Sequence, residues 1–239
     1  MLIDLCVPTR HSPDSSIDPA EAVRVAAERG LDGIAFADAD TIAAREEIRS
    51  LRAEAPIAVF FGVRISTDHG ELLCFFRDPD ATPAPEELLG PRPDAGWPVR
   101  EVLARVREAR GAAIAARPYD HELSRPMGDS VFTLEGLAAV EALSGRLSEA
   151  ANEQAILAAS HLDLPCVGAS GARTTQEIGR AATLFRDEFA GQRSLVEALE
   201  AGNVWAVWLG TPPSFPGDQA ARREVRSRRL RGRRGGGRR

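Results

Sequence analysis

The chain has 239 residues, enough to bury a sizeable core in one large domain or two small ones. Its 44% hydrophobic and 27% charged residues are ordinary for a globular protein, and no apolar run approaches the ~18 residues a membrane helix needs. There is no lysine, so all 30 basic residues are arginine, which excludes a Schiff-base lysine, a lysine base and a P-loop lysine.

Charge is unevenly placed. Residues 222–239 hold 10 arginines and one acid, Glu224, whereas residues 1–221 hold 20 arginines against 34 acids. The net −5 therefore hides an acidic body with a basic end. Cys6, Cys74 and Cys166 are too scattered for a disulfide framework or a zinc knuckle. Asp4 interrupts Met1–Leu5 as the start of a secretory signal, and the expected setting is cytoplasmic.

In chain order, Leu2–Val7 predicts a short strand. Asp18 is an N-cap and Pro19 a first helical residue, opening a helix over Ala20–Arg29 that ends at Gly30. Gly33–Ala37 reads as a strand and Thr41–Ala53 as an amphipathic helix. Ile57–Ile65 and Leu72–Phe76 read as strands, the first buried on both faces. Residues 78–98 carry six prolines and read as a loop. Then follow a helix at Val99–Arg110, strands at Ala112–Ala116 and Leu137–Leu143, a helix at Ser148–His161, and a strand at Cys166–Ser170. A short helix at Thr175–Arg180, a helix at Ser194–Ala201 and a strand at Val204–Leu209 complete the pattern. Alternating strands and helices predict parallel strands with helices outside, and seven or so units in about 210 residues suit a barrel. The chemistry of such barrels lies just past the strand ends. The expected division is a barrel over 1–210, then a Pro-rich linker and Arg/Gly-rich tail over 211–239. Self-repulsion and glycine predict that the tail is disordered. It reads either as a tether for nucleic acid or another polyanion through 222–239, or as a solubilising end of a high-GC, bacterial gene.

The residues at the strand ends resemble the PHP (polymerase and histidinol phosphatase) domain family, collinearly from Ile3 to Leu209. The family's D-L-H-x-H-T-x-x-S stands here as Asp4-Leu5-Cys6-Val7-Pro8-Thr9-Arg10-His11-Ser12, and its T-D-H-D-T as Ala37-Asp38-Ala39-Asp40-Thr41. Its G-x-E-I is Gly62-Val63-Arg64-Ile65, and its G-H-L-L-x-F-F is Gly70-Glu71-Leu72-Leu73-Cys74-Phe75-Phe76. Its A-H-P is Ala116-Arg117-Pro118, and its A-S-D-A-H is Ala169-Ser170-Gly171-Ala172-Arg173. The resemblance implies a distorted (β/α)7 TIM-like barrel and a metal-dependent phosphoesterase ancestry. The framework residues match, but the positions of the family's metal ligands hold Cys6, Pro8, Asp14, Ala39, Arg64, Glu71, Arg117, Gly171 and Arg173. Of these, only Asp14 and Glu71 offer carboxylates, and a hydrolytic site needs several imidazoles or carboxylates on one cation.

The resemblance therefore implies a barrel without catalytic residues or cofactor, a pseudoenzyme. Arg64, Arg117 and Arg173 would line one pocket with Asp14, Asp38 and His11, and would hold a small anionic or phosphorylated ligand, since guanidiniums can replace a metal's charge. A partner at the same surface is a further possibility. Equally open is a salt-bridge plug, in which the arginines answer the carboxylates left behind. The competing enzyme reading is a divergent PHP phosphoesterase, acting on phosphoric monoesters or nucleotides with Zn, Mn or Fe. A third reading is a nucleic-acid-associated protein anchored by the tail.

Other signals are weaker. Cys6 lacks the glycine cradle of a cysteine phosphatase and reads as a buried core residue. His11, His69, His121 and His161 show no metal-ligand spacing. Ser170 lacks an acid–base partner, and Trp205 and Trp208 fit core packing or an interface better than base stacking.

Overall fold

The computed structural model describes residues 1–189 and 191–210. The linker and tail expected over 211–239 lie outside the described residues. Nine strands form one sheet: β1 (Leu2–Val7), β2 (Gly33–Ala39), β3 (Ala58–Ser66), β4 (Glu71–Phe75), β5 (Ala112–Ala116), β6 (Ala139–Ser144), β7 (Cys166–Ala169), β8 (Ala181–Phe185) and β9 (Val204–Trp208). Their spatial order is β7-β6-β5-β4-β3-β2-β1-β8-β9. The helices are α1 (Pro19–Glu28), α2 (Arg45–Arg52), α3 (Pro85–Leu89), α4 (Val99–Glu108), α5 (Glu149–Leu162) and α6 (Gln192–Ala201).

Local chemistry fixes the starts of α1 and α5. The Asp18 carboxylate accepts the Ala20 and Glu21 N–H groups at 3.0 and 3.1 Å, with Pro19 in the first turn of α1. Ser148 caps α5 in the same way, accepting Ala151 N–H at 3.2 Å.

The expectation of an all-parallel sheet needs correction. β1, β2 and β3 run parallel, as do β5, β6 and β7, but β4 is antiparallel to both its neighbours. Residues 67–70 join β3 to β4 in a tight turn, closed by Thr67 N–H to Gly70 O at 2.8 Å, and so short a link permits only a reversal. β8 is a strand that the sequence reading did not assign, and it pairs antiparallel with β1 and β9. Three boundaries also shift. α2 starts at Arg45 rather than Thr41, the predicted loop at 78–98 contains α3, and the segment after Thr174 is a single 3-10 turn over Thr175–Glu177.

The sheet curls into a nearly closed barrel. β7 and β8 come so close that a Cβ on Gly168 would lie 2.4 Å from the Ala182 carbonyl oxygen. Thr183 closes the seam: its hydroxyl donates to Gly168 O at 2.8 Å and accepts Gly168 N–H at 2.9 Å. Inside, Ile3, Leu5, Phe60, Leu73, Phe75, Ile114 and Val167 form a core plugged from one end by Leu195, Val196 and Leu199 of α6. α6 is fixed there by the Gln192 amide, which bonds both the N–H and the carbonyl of Phe61. Outside, α1 and α2 pack on β1–β3, while α4 and α5 cover the other half. Strand side chains alternate between faces. Phe60, Gly62 and Arg64 therefore share one face of β3, and Glu71, Leu73 and Phe75 one face of β4. The interior is apolar near α6 and charged at the opposite end.

Candidate functional site

The charged end begins with Arg64, the inward residue near the end of β3, which is 2% exposed. Its Nη2 donates to Asp14 Oδ2 at 2.7 Å, and its Nε lies 3.6 Å from Glu71 Oε2. Arg117 follows β5 directly. It too is buried, and it donates to Glu71 Oε2 and, at 2.6 Å, to Asp120 Oδ2. Its backbone is left-handed, φ +44°, which costs an L-residue roughly 1–2 kcal/mol. Glu71, the first residue of β4, is thus shared by two guanidiniums.

These groups hold their charges. Burial alone would raise Glu71, but Arg64 and Arg117 bring it below the ordinary carboxylate range. Burial likewise opposes Asp14, and Arg64 with the Ser12 and Arg64 hydrogen bonds outweighs it. Burial would lower Arg64, yet Glu71 and Asp14 raise it. A cleft of about 270 Å³ opens beside Glu71, walled by Thr67, Arg92, Ser124 and Arg125.

The remaining predicted residues are placed differently. Asp38 is buried and turned to the chain after β1, accepting Thr9 N–H at 2.5 Å and Thr9 Oγ1–H at 2.8 Å. Burial raises its carboxyl despite those bonds. His11 is partly exposed and meets Glu47 Oε2 at 2.9 Å, beside Arg10, which shares the same carboxylate. Arg173 is exposed, and among the described residues its side chain makes no ion pair. Cys6 is buried, and burial pushes its thiol up to about 12, which suits a core residue rather than a nucleophile.

Three participants were not anticipated. Arg146, two residues past β6, has a side chain only 11% exposed, and its nearest acid, Glu122, is 3.6 Å away and itself 66% exposed. Its charge is disfavoured by burial and by the like charges of Arg117 and Arg173. Glu141, in the middle of β6, is fully buried, and burial pushes it up to about 7 against the pull of Arg117. Glu141 Oε1 and Ser144 Oγ have no hydrogen-bond partner among the described residues. Asp4 in β1 is also fully buried, accepting Ser170 and Gly179 N–H groups at 2.9 Å each, and burial pushes it up to about 6. The signals were a lone acid in each of two apolar strands, and an arginine at a strand end.

The donor set does not fit a divalent metal cluster. Among the described residues no three His, Cys, Asp or Glu side chains gather to hold one ion. The centre is occupied by guanidiniums, whose charge repels a cation.

Fold and charge together define a nearly closed α/β barrel with an ionic mouth. Residues 149–204, spanning α5 to the start of β9, match the PHP-associated family. The uncharacterized protein MJ1587 of Methanocaldococcus jannaschii is 28% identical over 145 residues, covering 56% of this chain and 77% of that protein. Three solved structures share the fold. A Bifidobacterium adolescentis protein assigned to the metal-dependent phosphoesterases has TM-score 0.63 and 18% identity, over 84% of this chain and 96% of that one. PsfC from Pseudomonas syringae has TM-score 0.66 and 14% identity, over 89% and 93%. An amidohydrolase from Chromobacterium violaceum, with bound sulfate and no metal, has TM-score 0.62 and 17% identity, over 86% and 97%. The family match covers about a quarter of the chain, and the three solved structures share its fold across most of its length. Among the described residues no helix is long and apolar enough to cross a membrane.

Proposed function

We propose that this PHP-like barrel binds a phosphate-bearing or other anionic ligand at its charged mouth and does not hydrolyse it. The observation that carries the reading is the pair Arg64 and Arg117. They stand where the family resemblance implies a bridging glutamate and a histidine, and they share Glu71. A guanidinium supplies the charge a metal would supply and binds phosphate oxygens bidentately, but it activates no water. The cleft beside Glu71 gives the remainder of a ligand room to sit. Thermal unfolding with added inorganic phosphate and nucleoside monophosphates tests this reading. A ligand at a hundred times its Kd stabilises by about 2.7 kcal/mol, a readily measured rise in Tm. No rise with any of them counts against it.

The second reading is a divergent metal-dependent phosphoesterase. Its support is the partial family match, the shared fold of a metal-dependent phosphoesterase, and the carboxylates Asp14, Glu71, Asp120 and Glu141 at the mouth. Release of phosphate from p-nitrophenyl phosphate that requires added Mn or Zn would favour it.

A further inference from the structure

We infer that the anion is held chiefly by Arg146 and Arg173, on the Arg117 side of the charged mouth. The inference rests on the anion-binding reading above and assigns its residues.

Topology brings these three arginines together. β5, β6 and β7 are adjacent and parallel, so their C-terminal ends emerge side by side. Arg117 lies one residue past β5, Arg146 two past β6, and Arg173 four past β7. Arg146 also lies across Gly171. A Cβ there would come 3.0 Å from Arg146 Cδ, and the φ of +56° at Gly171 disfavours any other residue. The Arg146 stem thus fills the space into which a side chain at 171 would project.

The ion pairs separate the arginines into two kinds. Arg64 is answered by Asp14 and Glu71, and both terminal nitrogens of Arg117 are engaged, by Asp120 and Glu71. Arg64 is nearly fully buried, and both of its acidic neighbours are within ion-pair distance. Arg146 and Arg173 differ: the first has one ion pair, with the solvated Glu122 at 3.6 Å, and more weakly feels Asp120, while the side chain of the second makes no ion pair among the described residues. Arg146 is largely buried near the like charges of Arg117, Arg173 and Arg64, which Asp120 only partly offsets, so a dianion there would relieve the remaining repulsion. Two guanidiniums backed by a third suit a tetrahedral oxyanion, the terminal phosphate of a monoester or a free sulfate.

The test is isothermal titration of the full chain with inorganic phosphate and with sulfate at constant ionic strength. Arg146→Ala is expected to weaken binding at least tenfold and Arg173→Ala several-fold. Arg193→Ala, an exposed arginine on α6, should leave it unchanged. Arg173 is exposed, so its removal does not threaten folding. If wild-type protein binds and both variants match it within twofold, this assignment is wrong and the broader reading stands. If wild-type protein binds neither anion but is stabilised by a nucleoside monophosphate, this assignment is wrong and the broader reading stands; if none of them binds, both fall.

Discussion

Replacing Glu141 by glutamine should make the protein more stable at alkaline pH and change little at acid pH. Native burial raises this carboxyl from an ordinary 4.5 to about 7. A carboxyl whose folded pKa lies above its unfolded value binds its proton more tightly in the native state. Its stabilising contribution is complete below 4.5 and is lost as pH rises to 7. At 1.36 kcal/mol per pH unit, the loss across that window is about 3 kcal/mol. Glutamine mimics the protonated acid and has no proton to lose. Urea unfolding at pH 4.5 and pH 8 measures the effect. The variant should match wild type at pH 4.5 and exceed it by about 3 kcal/mol at pH 8. Asp14 and Glu71, which titrate in the opposite sense, are common to both proteins and cancel. An equal difference at the two pH values, or a variant less stable than wild type at pH 8, would refute the reasoning.

Arg64→Leu leaves Asp14 without its buried partner and removes one of the two cations on Glu71, and should cost about 3–5 kcal/mol in urea unfolding. A cost under 1 kcal/mol would mean that the network is not structural. Thr183→Val removes the hydroxyl that satisfies both backbone groups of Gly168 at the seam. Chemical denaturation should register about 2–3 kcal/mol, and an unchanged midpoint would show that the seam closes without it. Of the thiols, Cys166 is partly exposed whereas Cys6 and Cys74 are buried. Iodoacetamide at pH 7.5 followed by peptide mass spectrometry should find Cys166 modified first, and early modification of Cys6 would contradict its raised pKa and burial.

Much of this structure was legible in the sequence because the relevant signals are local. The Asp18-Pro19 pair marks the start of α1, and hydrophobic periodicity marks α4 and α5. The resemblance drew attention to Arg64, Arg117, Asp14 and Glu71, and these do meet. Strand direction was not legible: nothing in ELLCF says that it runs against its neighbours, and the four-residue turn before it is the only hint. β8 was hidden because its five residues, directly after Gly179 and Arg180, carry little period of their own. Ion-pair partners were the least accessible. That Glu71 would serve two arginines while Arg173 stayed outside depends on how strand ends are arrayed in space. Arg146 and Glu141 were missed because β6, AVEALS, reads as an apolar segment whose single acid gives no sign of which way it faces.

The most direct test is elemental metal analysis of untagged protein, purified without chelator and then dialysed against zinc, manganese and iron. A mouth built from Arg64, Arg117, Arg146 and Arg173 should retain far less than one metal per chain. Two or three tightly held metals per chain would contradict it, and would restore the hydrolytic reading of this barrel.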